Sequence, residues 1–84
     1  MKYYVSYSED IEFGKGVSYQ EIDEECDLVV RQVDVYGNVY RWGEWTGTSL
    51  VGWICDRRPS TLGFMPEEEI TAEEFEAVWK RARR

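Results

Sequence analysis

The sequence contains no histidine. This removes the side chain most often used as a general base near neutral pH, and also the commonest metal ligand. Ser-His-Asp and Cys-His nucleophilic sites are therefore excluded within the chain. Cysteine is scarce, with only Cys26 and Cys55 present. Two are too few for the disulfide framework of a small secreted domain. Without histidine they also cannot complete a tetrahedral structural zinc site. Neither lies in a Cys-x-x-Cys pair, and both read as free thiols. No apolar run approaches the roughly 20 residues of a membrane helix. Gly14-Lys15-Gly16 lacks the spacing and the following helix of a phosphate loop. Positive charge is also short: ten Lys and Arg face seventeen Asp and Glu, for a formal charge of -7. That balance argues against nucleic acid and anionic lipid as partners, because both require clustered cations. It favours a basic partner.

What is present is aromatic and apolar. The 84 residues are 43% hydrophobic and 15% aromatic, with four Trp, six Tyr and three Phe. Such a chain is too apolar to be a disordered tail. Its length corresponds to one domain, residues 1–84, with a small core. Large rings suit a small core, since each buries about 150–250 Å². The first ten residues, Met1 to Asp10, mix acids and hydroxyls where a signal peptide needs an apolar stretch of about 7–15 residues. The expected location is the cytoplasm.

Alternation marks the strands. Tyr3, Val5 and Tyr7 share one face of a strand over 2–8, and residues 9–16 read as a loop. Residues 17–22 alternate again, before an acidic turn from Asp23 to Asp27. The strongest signal is a hairpin from Leu28 to Trp45 around Gly37-Asn38, a two-residue loop of the kind used by primed turns. Such a loop sets Tyr36 opposite Val39, Val35 opposite Tyr40, Asp34 opposite Arg41, Val33 opposite Trp42 and Arg31 opposite Glu44. Two opposite-charge pairs and two aromatic/β-branched pairs result, each worth roughly 0.2–1 kcal/mol. A one-residue slip would lose them and invert both faces. Residues 50–55 suggest a further short strand, 56–60 a turn, and 61–69 irregular chain.

The C-terminal segment predicts a helix. Thr71 is an N-cap and Glu74 completes a capping box, with Ile70 and Phe75 as a hydrophobic staple. Phe75, Val78, Trp79 and Ala82 form one apolar stripe. Acids precede it and bases end it, which complements the helix dipole. The expected fold is therefore α+β: a small, mostly antiparallel sheet of three to five strands with the C-terminal helix packed on one face. Val33, Val35, Tyr40 and Trp42 would lie beneath the helix.

Candidate chemistry is limited. The acidic run Glu21, Asp23, Glu24, Glu25 and Asp27 lacks the central Gly and closing Glu of a calcium loop. It reads as a solvated turn, or as a contact for a basic partner. Paired carboxylates occur by chance in so acidic a chain, and no catalytic constellation is assembled. No cofactor or metal is expected. Tyr36, Val39 and Trp45 share the outer sheet face with Asp34 and Arg41, and this mixed face is the expected partner surface. An open strand edge or that same face would also support a homodimer.

Three segments carry a resemblance. They are Tyr19-Gln20-Glu21-Ile22-Asp23-Glu24-Glu25, Val30-Arg31-Gln32-Val33-Asp34-Val35-Tyr36, and Glu69-Ile70-Thr71-Ala72-Glu73-Glu74-Phe75-Glu76-Ala77-Val78-Trp79. Together they resemble a family of small bacterial proteins of unknown function, with an E-[IV]-D turn, a V-R-x-V-x-V-[FY] strand and a C-terminal I-[ST]-x-E-E-F-E-x-x-W helix. The resemblance implies a cytoplasmic α+β domain and no catalytic residue. The functional expectation is a noncatalytic protein-binding or regulatory module, similar to an immunity or inhibitor protein acting on a basic partner. The alternatives are an acidic mimic of nucleic acid that blocks a DNA- or RNA-binding protein, and a small enzyme using paired carboxylates.

Overall fold

The computed structural model describes residues 1–55 and 57–84. Asp56, the first residue of the expected turn at 56–60, lies outside the described residues. Six strands and one helix follow one another as β1 (Lys2–Asp10), β2 (Gly14–Asp23), β3 (Leu28–Tyr36), β4 (Val39–Trp45), β5 (Leu50–Gly52), β6 (Glu69–Ile70) and α1 (Ala72–Ala82). All six strands join one antiparallel sheet in the order β5-β4-β3-β2-β1-β6. The first five form a meander. The chain then travels from one edge of the sheet to the other before β6 pairs with Tyr3 and Tyr4.

The β3–β4 hairpin adopts the register that its turn and charge pattern predict, from Tyr36 opposite Val39 to Arg31 opposite Glu44. Alternation then divides the side chains between two faces. Val33, fully buried, packs with Phe75 and Trp79, and Tyr3, Tyr19, Val35, Tyr40 and Trp42 surround them. Phe75 is also fully buried, and Trp79 nearly so. Burying a side chain of this size stabilises by about 1.5–3 kcal/mol, so this stripe fixes α1 on the sheet. Thr71 starts the helix as expected: its Oγ1 accepts from the Glu74 N–H at 3.1 Å, and Glu74 Oε1 accepts from the Thr71 N–H at 3.2 Å.

Several sequence expectations need correction. The sheet has six strands, not three to five. Residues 9–16 are mostly strand, because β1 and β2 run on to Asp10 and from Gly14, leaving Ile11 to Phe13 as the turn. The strand expected over 50–55 stops at Gly52. There the chain turns away at φ +80° and crosses the sheet. Residues 61–69 are not wholly irregular: they include a 3-10 turn at Pro66–Glu68 and the start of β6. Arg31, although opposite Glu44, bonds to Glu21 and Glu76 instead.

A β-bulge explains the partition at one end of the sheet. Glu21 pairs with Arg31 and Ile22 with Val29, so Val30 is the extra residue in β3. Without it, Val29 and Arg31 would point to the same face. With it, Val29 joins Ile22 on the outer face while Arg31 stays beneath the helix. Ile22 and Val29 are both buried, and the stacked rings of Tyr4 and Phe64, 4.4 Å apart, bring the connection between β5 and β6 onto that face.

Candidate functional site

The helix leaves one sheet face uncovered, and on that face the strand register aligns two rows of polar residues. One row runs Tyr4, Gln20, Gln32, Gly43 across β1 to β4, and the next runs Ser6, Ser18, Asp34, Arg41. Trp53 to Cys55 and, further along the connection, Arg57, Leu62, Phe64 and Glu68 roof part of these rows. Between roof and sheet lies a half-open cleft of about 730 Å³, within the usual range of ligand pockets.

Two glycines make this layering possible. A Cβ at Gly43 would collide with the backbone of Trp53, so the connection crosses β4 where no side chain stands. The Trp53 N–H then bonds to the Trp42 carbonyl at 3.0 Å, and the Cys55 N–H reaches Gln32 Oε1 at 3.0 Å. A Cβ at Gly16 would strike the Val35 carbonyl and the Tyr36 ring. The ring therefore passes over Gly16 on β2, and its hydroxyl meets Ser8 Oγ on β1 at 3.2 Å.

The cleft floor is a hydrogen-bonded ladder of buried polar groups. Gln20 Nε2 donates to Gln32 Oε1 at 3.0 Å, and Gln32 Nε2 donates to Asp34 Oδ1 at 2.9 Å. Ser18 Oγ donates to the same Asp34 oxygen at 2.7 Å. Arg41 donates from Nε and Nη2 to Asp34 Oδ2 at 3.3 and 3.1 Å. Asp34 thus accepts four hydrogen bonds, which fills the roughly four lone-pair sites of a carboxylate. It is 1% exposed, and its partners make that burial tolerable. Such an aspartate is a structural anchor with no free oxygen for proton transfer.

Asp10 is the second carboxylate at the cleft. Its Oδ1 accepts from the backbone N–H groups of Glu12 and Phe13 at 2.8 and 3.2 Å, and its Oδ2 faces Arg41 at 3.4 Å. These two backbone donors, and behind them the Arg41 guanidinium, hold its pKa below the ordinary value against partial desolvation. Burial disfavours the charge on Arg41. Asp34, with Tyr36 and Asp10 beyond it, outweighs that effect and raises its pKa. The Arg41 guanidinium also lies 4.7 Å from the Trp53 ring centre, a cation–π contact that helps hold the roof.

Asp10, Asp34 and Glu68 line the cleft with Arg41 and Arg57, while Tyr7 and Glu9, bonded to each other and alternating with Ser6, Ser8 and Asp10 along β1, carry their side chains on the α1 face. At its rim the Trp53 ring is 50% exposed. Among the described residues, no group of three His, Cys, Asp or Glu side chains converges to hold a metal ion.

The sequence-predicted site residues separate in space. Tyr36 is buried and lines the cleft with Asp34 and Arg41. Val39 and Trp45 share its face but remain exposed outside the cleft lining. Glu21 is buried on the opposite face, where Arg31 donates to both its oxygens at 2.6 and 3.0 Å. Desolvation raises its pKa, but the Arg31 hydrogen bonds and charge prevail and leave it lowered. Asp23 caps its own turn, accepting from the Glu25 and Cys26 N–H groups at 3.0 and 3.2 Å. Glu24 and Glu25 are exposed. Asp27 holds the connection by accepting from the Ser60 N–H and hydroxyl at 2.9 and 2.7 Å. Sequence reasoning missed Ser18, Gln20 and Gln32. The available signal was their polar alternation within strands whose other face is apolar.

No protein-family model, curated protein or solved structure matches this chain.

Proposed function

We propose that the chain is a noncatalytic recognition module that holds a basic segment of a protein partner at the sheet face opposite α1. The observation carrying this reading is the cleft itself, with three acids, Asp10, Asp34 and Glu68, beside two bases and the half-exposed Trp53 ring at its rim. Tyr and Trp are the residue types that most often anchor protein interfaces, and the net charge of -7 steers a cationic surface toward the chain. The hydrogen bonds that occupy Asp34 and Asp10 support binding over acid–base catalysis. The remaining exposed acids are spread over Glu9 and Glu12, Glu24 and Glu25, Glu67 and Glu69, and Glu73 and Glu74. This spread favours a basic protein partner over mimicry of a phosphate backbone.

The test is capture from a host lysate at low and high salt, followed by size-exclusion chromatography with light scattering. Wild type and the double variant Trp53→Ala/Glu68→Gln, altering the exposed ring and the acid at the cleft, are compared. A basic protein retained by wild type at low salt, released at high salt and lost by the variant is the expected result. Retention of an acidic protein, or equal retention by the variant, overturns the reading.

A further inference from the structure

We propose that the open β5 edge of the sheet binds a second copy of this chain, the two β5 strands pairing antiparallel about a two-fold axis at Val51. This surface goes beyond the reading of the cleft and does not depend on it. A sheet edge displays unpaired backbone N–H and C=O groups, and proteins guard such edges with charge or Pro. The β6 edge is guarded. It is two residues long, follows Pro66 closely and carries Glu69 against Lys2 at 3.7 Å. The β5 edge has no such protection. Residues 45–55, Trp-Thr-Gly-Thr-Ser-Leu-Val-Gly-Trp-Ile-Cys, are the longest uncharged run in a chain that is 32% charged. Four large apolar side chains of this run, Trp45, Leu50, Val51 and Trp53, are 43% to 50% exposed.

The register determines which backbone groups face outward. Hydrogen-bonded and non-bonded pairs alternate along an antiparallel ladder. The Thr46 N–H bonds to the Ser49 carbonyl at 2.9 Å, and the Trp53 N–H to the Trp42 carbonyl at 3.0 Å. Between these bonds Val51 pairs with Glu44, so its backbone groups turn toward β4. Those of Leu50 and Gly52 turn outward, where no described strand pairs. A two-fold axis at Val51 sets Leu50 opposite the partner's Gly52, and Gly52 opposite the partner's Leu50. Four backbone hydrogen bonds then close the edge. Val51 meets the partner's Val51 on the α1 face. On the outer face each Leu50 stands against a glycine, in space that no Cβ occupies. The edge is thus complementary to itself in shape. It is also complementary in charge: each copy carries -7, and two copies approach closely only where neither is charged. The exposed parts of the four apolar side chains amount to roughly 400 Å² per copy. That area is below the standard interface size and specifies a weak, concentration-dependent dimer.

The test is sedimentation equilibrium of the full chain from about 10 μM to about 1 mM, the range in which a weak dimer forms, at low and high salt. The mass of wild type is expected to rise toward twice the monomer value. The rise should come sooner at high salt, which screens the repulsion between two acidic copies. Val51→Lys alters an exposed residue that lies opposite Glu44 and outside the cleft lining, so the fold is kept. It should weaken association at least about tenfold, because like charges directly opposite one another repel. In a Cys26→Ser/Cys55→Ser background, Val51→Cys should cross-link two copies in oxidised glutathione. A directly opposed non-bonded pair has Cα atoms about 4.5 Å apart, within disulfide reach. Leu50→Cys should not cross-link, because its counterpart is displaced two residues along the strand. A wild type that stays monomeric at about 1 mM in high salt, undiminished association of Val51→Lys, or equal cross-linking of the two cysteine variants overturns the proposal. Salt separates this proposal from the reading of the cleft: it releases a basic partner and promotes self-association, so each can fail without the other.

Discussion

The two faces of the sheet are built from the same strands and reach opposite outcomes. On one face, Val33, Phe75 and Trp79 close an apolar core under a helix. Even the charge there is clamped: Arg31 is bonded to Glu21 and Glu76 and lies 4.9 and 5.0 Å from the ring centres of Phe75 and Trp79. On the other face, the buried residues include the polar Ser18, Gln20, Gln32 and Asp34, and the cover is an irregular connection that leaves a cavity. A helix presents a continuous stripe that fills the space over a sheet. An extended connection does not. The comparison teaches that stability and recognition can be assigned to alternate residues of one strand, with period two as the only separator.

The largest expected loss breaks the helix face. Phe75→Ala removes a fully buried ring and should cost about 3–5 kcal/mol, as for other aromatic truncations, measured by urea denaturation. For a domain this small such a loss approaches its whole stability. A loss below about 1 kcal/mol would mean that α1 is not the principal cover of the core. Next comes the ladder on the outer face. Asp34→Ala leaves Arg41, Ser18 and Gln32 without their shared acceptor and should cost about 3 kcal/mol, as when one member of a buried ion pair is deleted. The double variant Asp34→Leu/Arg41→Leu should lose less than the two single variants together. Strict additivity would show that the ladder is not a coupled unit.

A smaller and local effect is expected at the crossing point. Gly43→Ala forces the Trp53 backbone away from β4, at a cost of about 1–3 kcal/mol typical of overpacking. Hydrogen exchange should show the Trp53 and Cys55 amides losing protection, because they bond to Trp42 and Gln32 there. Helix-face amides should be unchanged. If protection falls equally on both faces, the roof and the core are one cooperative unit.

How far the sequence discloses this division depends on range. The β3–β4 hairpin and α1 are legible because their determinants are local: a two-residue turn, paired charges, a capping box and a 3.6-residue stripe. The two residues of β6 carry no periodicity, and their pairing with Tyr3 and Tyr4 is set by a connection that first crosses the whole sheet. The bulge at Val30 is equally silent, since Val29 and Val30 are interchangeable as letters, yet it decides which of them faces Ile22. The site is half legible. Tyr36, Asp34 and Arg41 fall on one face by alternation alone. Glu21 reads as part of the acidic turn, but alternation along β2 carries it to the helix face, away from Glu24 and Glu25. Gln20 and Gln32 look solvent-facing until the roof is known.

The smallest expected effect is reversible and needs no substitution. Each face holds one carboxylate whose pKa lies below its ordinary value: Glu21 beside Arg31 under the helix, and Asp10 among the Glu12 and Phe13 N–H groups at the cleft. A depressed pKa in the folded state means that protons bind the unfolded chain more readily. The stability these groups contribute is therefore complete above their unfolded values, near about 4. It declines as the pH falls through the lower folded values. Raising the pH above 5 should change nothing through either group. In an NMR titration, the Glu12 and Phe13 amides should follow Asp10, and the Arg31 side chain should follow Glu21, both with midpoints below about 4. A midpoint at or above the ordinary value for Asp10 would show that the turn and Arg41 do not hold it, leaving the cleft wall at that end unbraced. The same result for Glu21 would separate the clamp on the helix face from its acid. Because the two groups share no partner, their curves report the two faces independently.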